Sequence, residues 1–208
     1  LRQADIHTLI MIEGFKDSDY VEIMNTLVPE LKDAKPGAWQ SQNLPFLKNI
    51  VCIGEKKQPG MLGWEDIIAL GQDVSDETLA SIQASVSSHD VVNMQYTSGT
   101  TGFPKGVMLT HYNILNNGKS IGDCMNLSTK DRLCIPVPLF HCFGCVLGVM
   151  ASTTHATTMV IVETFRPQVV LKALHEEKCT AVHGVPTMFI ALLEHPDFAR
   201  VDFSHMRT

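Results

Sequence analysis

The chain has 208 residues, of which 45% are apolar and 18% charged, and carries a formal net charge of −6. This is the composition of a folded globular chain, not a disordered one, and the length allows one large domain or two small ones. The acidic balance offers no basic field, so nucleic acid is not expected as a partner.

In chain order, short β-rich apolar runs alternate with longer amphipathic ones, the pattern of helices flanking mostly parallel sheets in an α/β fold. Thr8–Ile12 reads as a strand, and Ser18 or Asp19 as the N-cap of a helix ending near Leu27. Ile50–Ile53 is a second buried strand closed by Gly54, with Lys35-Pro-Gly and Asn43-Leu-Pro marking loop between them. Helices are expected over Trp64–Leu70 and over Asp76–Ser85, the latter capped by Ser75. Val91–Thr97 and Lys105–Thr110 read as strands on either side of a loop, followed by a helix from Asn113 to Met125. The polar stretch 126–131 is expected to separate two αβ subdomains, 1–126 and 127–208. The second repeats the rhythm. Strand Arg132–Val137, helix Phe143–Ser152, strand Thr157–Val162, helix Pro167–Lys178, strand Thr180–Val185 and helix Pro186–Glu194 follow in turn.

The most apolar run, Cys142–Ala151, is about half the length that crosses a bilayer. Six scattered cysteines lack the spacing of a secreted disulfide framework, which points to a reducing, cytoplasmic setting. The chain begins at Leu1 without a signal peptide, as a piece of a longer protein would.

The segment Tyr96-Thr-Ser-Gly-Thr-Thr-Gly-Phe-Pro-Lys-Gly-Val107 carries the strongest chemical signal. Thr97, Ser98, Thr100 and Thr101 supply hydroxyls, while Gly99 and Gly102 leave backbone N–H groups unshielded, a combination that wraps anionic oxygens. Lys105 adds a compact cation suited to phosphate. A Walker loop would place the lysine directly after its last glycine and run into a helix. Here Pro104 intervenes and Val107-Met-Leu-Thr110 has strand composition, so the anion site lies between strands without a helix dipole behind it. A plain Gly/Ser/Thr-rich surface turn rarely combines these features.

This segment resembles the phosphate-loop signature of the adenylate-forming superfamily, which includes acyl- and aryl-CoA synthetases, adenylation domains and firefly luciferase. Pro136-Val-Pro-Leu-Phe-His-Cys-Phe-Gly144 is similar to a segment of its acyl-CoA synthetases, and Gly184-Val-Pro-Thr187 to a strand end and helix start lining the acyl and nucleotide pocket. The resemblance implies that Thr97 to Gly102 and Lys105 bind the β- and γ-phosphates of ATP. It implies further that His141 orients the reacting carboxylate or stabilises charge in the transition state. Phe143, Gly184 and Val185 would line the substrate pocket, and Val185-Pro186-Thr187 would mark the truncated second subdomain. The implied reaction joins a fatty acid to coenzyme A through an acyl-adenylate, with ATP and Mg2+.

By residue type alone, His141 reads first as a core histidine with both nitrogens satisfied, and it is the resemblance that turns the reading toward the reacting carboxylate. His111 lies close behind the loop, and His183 beside Gly184. Cys142 and Cys145 form a C-x-x-C without the second ligand pair of a zinc site, and are read as buried apolar filler rather than a redox motif. The family's Tyr-Gly-x-Thr-Glu segment, ribose-binding Asp and catalytic Lys domain do not occur here, so the 208 residues alone are expected to be inactive. The rival readings are an amino-acid or aryl adenylation domain and a non-catalytic nucleotide-binding module. Exposed sheet edges left by missing neighbours would favour self-association.

Overall fold

The computed structural model of the chain describes residues 1–97 and 102–208. Two units are resolved by their internal contacts, Leu1–Val86 and Ser87–Thr208.

In the first unit, β1 (Thr8–Ile12) is followed by a tight antiparallel pair, β2 (Gly14–Phe15) and β3 (Ser18–Asp19), and by α1 (Tyr20–Leu27). Asp19 starts α1 by accepting a hydrogen bond from the Glu22 N–H at 2.8 Å, which satisfies one of the orphan donors of the first turn. After the crossover, β4 (Asn49–Ile53) pairs in parallel with β1, Thr8 opposite Asn49 and Ile12 opposite Ile53. β5 (Leu62–Gly63) completes a sheet of order β1-β4-β5. The central strand is the buried one, and it packs with Met24, Val28, Leu31, Trp39, Leu44, Leu47 and Met61 into one core. Trp39 satisfies its indole N–H on the Gly60 carbonyl at 2.8 Å. Helices α2 (Trp64–Gly71) and α3 (Asp76–Ser85) follow, and the Ser75 hydroxyl caps α3 by accepting from the Thr78 N–H.

The second unit opens with an antiparallel hairpin, β6 (Val91–Thr97) and β7 (Lys105–Thr110), whose last described pair is Thr97 opposite Lys105. Helix α4 (His111–Cys124) begins two residues earlier than its sequence suggested, because Thr110 and Asn113 cap it reciprocally. A parallel sheet of order β10-β8-β9 follows, formed by β8 (Arg132–Ile135), β9 (Thr158–Ile161) and β10 (Ala181–Val182).

Its middle strand is buried on both faces. Leu133 and Ile135 pack with Leu127, Val137 and Ala151, whereas Cys134 packs with Val170, Leu171 and Leu174 on the other side. That double burial explains the uninterrupted apolar run of β8. A π-helical stretch, Phe143–Met150, continues into α5 (Ala151–His155) between β8 and β9, and α6 (Pro167–Glu176) connects β9 to β10. Last come α7 (Pro186–Leu193) and a 3-10 turn, Pro196–Arg200.

The boundary expected at 126–131 lies inside this second unit. Leu127 is buried in its core, and Asp131 is fixed to Arg207 from the far end of the chain. Asp131 Oδ1 accepts from Arg207 Nε and Thr180 Oγ1, both at 2.8 Å, and Oδ2 accepts from the Ser128 N–H and hydroxyl. Arg207 also donates to the Met125 and Asn126 carbonyls that end α4. The guanidinium and these donors hold the Asp131 carboxyl far below the usual carboxylate range.

Candidate functional site

Two loops leave the carboxyl edge of the parallel sheet side by side, the position where open α/β sheets bind ligands. One follows β8 and carries Pro136 to His141; the other follows β10 and carries His183, Gly184 and Val185. β10 is shorter than the expected strand over 180–185. After the His183 N–H bonds the Cys134 carbonyl at 3.2 Å, Gly184 and Pro186 carry the chain out of the ladder into α7.

His141 is exposed, and its imidazole caps the helix that follows. The Phe143 N–H donates to His141 Nδ1 at 3.1 Å, and the Cys142 thiol lies 3.6 Å from the same nitrogen. A nitrogen that accepts a backbone N–H is unprotonated, so the neutral ring carries its proton on Nε2. The contact therefore leaves Nε2–H as the ring's donor. Gly144 makes this arrangement possible, since a Cβ there would collide with the Pro138 carbonyl of the same loop.

Phe143 bridges the two loops. Its ring meets that of His183 edge to face, with centroids 5.2 Å apart and planes at 62°. Nε2–H of His183 donates to the Leu147 carbonyl at 2.9 Å. Burial pushes the His183 pKa down and favours the neutral ring. Val185 is exposed as the N-cap of α7, and Gly184 accommodates the Phe189 ring, which a Cβ would approach to 3.1 Å. The geometry thus gathers Phe143, His183 and Gly184 in one place, with His141 two residues away along the chain. His111 is different: it opens α4, its N–H bonding the Asp90 carbonyl at 3.2 Å.

The hairpin presents the basic loop as a strand-to-strand connection. Lys105 begins β7, exposed, and makes no ion pair among the described residues. Gly102 adopts φ +94°, a backbone conformation for which glycine is suited. Thr97 ends β6. Ser98, Gly99, Thr100 and Thr101 lie outside the described residues. No group of three or more His, Cys, Asp or Glu among the described residues could hold a metal ion. No helix among them is long and apolar enough to cross a membrane.

The cysteine pair departs from its sequence reading as buried filler. Cys142 is exposed and Cys145 half-buried, because the first turn of the helix faces out of the core beside the His141 loop. The Asp131–Arg207 clamp had no counterpart in the sequence reading, since its partners lie 76 residues apart and carry no motif.

Comparison with known proteins gives one family. Residues 56–208 match the family described as AMP-binding enzyme. YngI of Bacillus subtilis (strain 168) is 51% identical over 208 residues, covering 100% of this chain and 38% of that protein. The mitochondrial medium-chain acyl-CoA ligase ACSF2 of Mus musculus is 38% identical over 215 residues, covering 100% of this chain and 34% of the relative. Acyl-CoA ligase sidI of Aspergillus fumigatus is 49% identical over 159 residues, covering 76% of this chain and 27% of the relative. The chain therefore spans roughly a third of the curated relatives it matches. Among solved structures, the anthranilate CoA ligase AuaEII in complex with anthranoyl-AMP superposes with a TM-score of 0.72 at 24% identity, over 99% of this chain and 36% of that one. At that identity the likeness speaks for the fold, a mixed α/β architecture of parallel sheets flanked by helices.

Proposed function

The chain belongs to the AMP-binding enzyme family, and on that premise we propose that it supplies the phosphate loop and the carboxylate-facing histidine of an ATP-dependent fatty-acid–CoA ligase. The observation that carries this reading is the Phe143 N–H bonded to His141 Nδ1, which leaves Nε2–H as the nitrogen that can donate. A preset donor at the carboxyl edge of a parallel sheet suits a carboxylate about to attack phosphorus, and it costs no reorganisation when charge develops. Thr97, the segment 98–102 and Lys105 would close over the β- and γ-phosphates of ATP, with hydroxyls, backbone N–H groups and one cation neutralising the leaving pyrophosphate. Magnesium would add charge neutralisation of those phosphates when bound.

Carboxylate and ATP would give an acyl-adenylate and pyrophosphate, and the thiol of coenzyme A would then displace AMP. Phe143, Gly184 and Val185 would form the apolar entrance for the acyl chain, with Gly184 leaving room for the Phe189 ring. An apolar lining of this kind favours an aliphatic acid over an amino acid, whose ammonium would need an acidic partner. The 208 residues by themselves are expected to lack appreciable ligase activity. Robust acyl-CoA formation by the isolated chain would refute that.

Carboxylate-dependent exchange of labelled pyrophosphate into ATP, measured in the complete enzyme, tests the role of His141. His141→Ala should lower exchange by about a hundredfold, the loss expected for one preorganised donor. A rate within threefold of the unsubstituted enzyme would show that His141 does not serve the adenylation step.

A further inference from the structure

We propose that Cys142 and Cys145 form an oxidisable dithiol whose closure to a disulfide withdraws the Cys142 thiol from His141. Backbone geometry supports it first. Cys142 stands at the N-cap with helical dihedral angles, φ −54° and ψ −29°, and the Cys145 N–H donates to the His141 carbonyl at 2.9 Å. Residues 141 to 145 therefore make one closed helical turn. In such a turn Cα atoms three residues apart lie about 5 Å from each other, inside the range of roughly 4.4–6.8 Å that a disulfide spans. A side-chain rotation brings the sulfurs together without moving the helix.

Access is the second observation. Cys142 is exposed and Cys145 half-buried, whereas Cys52, Cys134 and Cys179 are sealed in the cores. Exposed Cys124 has no second cysteine within a helical turn. Among the six, only 142 and 145 combine an accessible first thiol with a resolving partner one turn away. An exposed first cysteine and a more sheltered second one, at the start of a helix, is the arrangement that redox dithiols use.

The step balances with a hydroperoxide as oxidant. The Cys142 thiolate attacks a peroxide oxygen, the O–O bond breaks, and sulfenic acid forms with release of water or an alcohol. The Cys145 sulfur then attacks the Cys142 sulfur, the S–O bond breaks, and water leaves as the S–S bond forms. Two thiols are oxidised by two electrons and one peroxide is reduced. In a reducing compartment such a disulfide would be transient and would revert by thiol exchange.

The consequence reaches His141 because all three residues share one turn. His141 Nδ1 is contacted by the Cys142 thiol at 3.6 Å and by the Phe143 N–H at 3.1 Å. Turning the Cys142 sulfur toward Cys145 removes the first contact and leaves the second in place. The disulfide stands independently of the proposed ligase function; only its effect on catalysis rests on the role assigned to His141.

The test treats the complete enzyme with hydrogen peroxide, blocks free thiols, and maps cysteine linkage by peptide mass spectrometry. A Cys142–Cys145 link lacking two hydrogens and restored by dithiothreitol is expected, and Cys145→Ser should instead leave a dimedone-reactive sulfenic acid at Cys142. Both thiols remaining alkylatable, or Cys142 passing to sulfinic acid while Cys145 stays free, would overturn the proposal. Imidazole 15N shifts of His141 read the coupling separately. They should differ between the reduced and oxidised chains, and identical shifts in the presence of the disulfide would overturn the link to His141.

Discussion

The rings of Phe143 and His183 meet edge to face with centroids 5.2 Å apart, joining the loop after β8 to the loop after β10. The bond from His183 Nε2–H to the Leu147 carbonyl is made by either protonation state and by itself favours the charged ring, but burial outweighs it and favours the neutral imidazole. The pKa of His183 is lowered on folding, so its contribution to stability is present above the unfolded value of about 6.5 and is lost as pH falls through the folded value. His183→Phe should cost about 1 kcal/mol at pH 7 through the lost bond, and it should flatten the pH dependence below about 6.5. Urea midpoints collected from neutral to mildly acidic pH check this. Equal slopes for the two proteins would argue against a buried neutral ring.

Acid should act on a second group in a separate window. Asp131 is buried with its carboxylate on Arg207, and its pKa is held far below that of the unfolded chain. That stabilisation is complete above the unfolded value of about 4 and is lost as pH falls toward the folded value. Asp131→Asn should cost about 2 kcal/mol near neutrality, the scale of losing hydrogen bonds to a charged group, since Asp131 is buried but Arg207 is partly exposed. The deficit should shrink steadily in acid below about pH 4. A deficit unchanged at low pH would mean that the carboxylate charge is not what holds the clamp.

Helix α4 supplies a prediction in which propensity and packing disagree. Alanine is favoured over glycine in a helix interior by about 1 kcal/mol. Yet a Cβ on Gly118 would sit 2.5 Å from the Met150 Cβ and 2.9 Å from its carbonyl carbon, so backbone must move. Packing wins here. Gly118→Ala should destabilise the chain by about 2 kcal/mol and lower its melting temperature; a rise in melting temperature would show that the helices separate freely.

Local chemistry made much of this fold readable in advance. Ser75 and Asp19 cap the helices that their positions imply, and the Val-Met-Leu-Thr run after Lys105 forms the returning strand of a hairpin. Those features are set by neighbours within a few residues. Long-range geometry was not readable. Arg207 reaches Asp131 across 76 residues with no pattern to announce it, and this clamp places the stretch 126–131 within a single unit. Apolarity alone also misjudged Cys142, because burial depends on which way the first turn of its helix faces. At the candidate site, the motif pointed to His141, but only the Phe143 N–H on Nδ1 shows which nitrogen is left to donate.

The central claim concerns where a carboxylate attacks ATP, and an oxygen label reports that directly. The complete enzyme would be given a fatty acid with both carboxyl oxygens as 18O, together with ATP and coenzyme A, and its phosphorus products read by mass spectrometry. Attack at the α-phosphorus followed by thiolysis transfers one labelled oxygen to AMP. The account predicts that label in AMP and none in pyrophosphate; label in inorganic phosphate, or AMP without label, would contradict it.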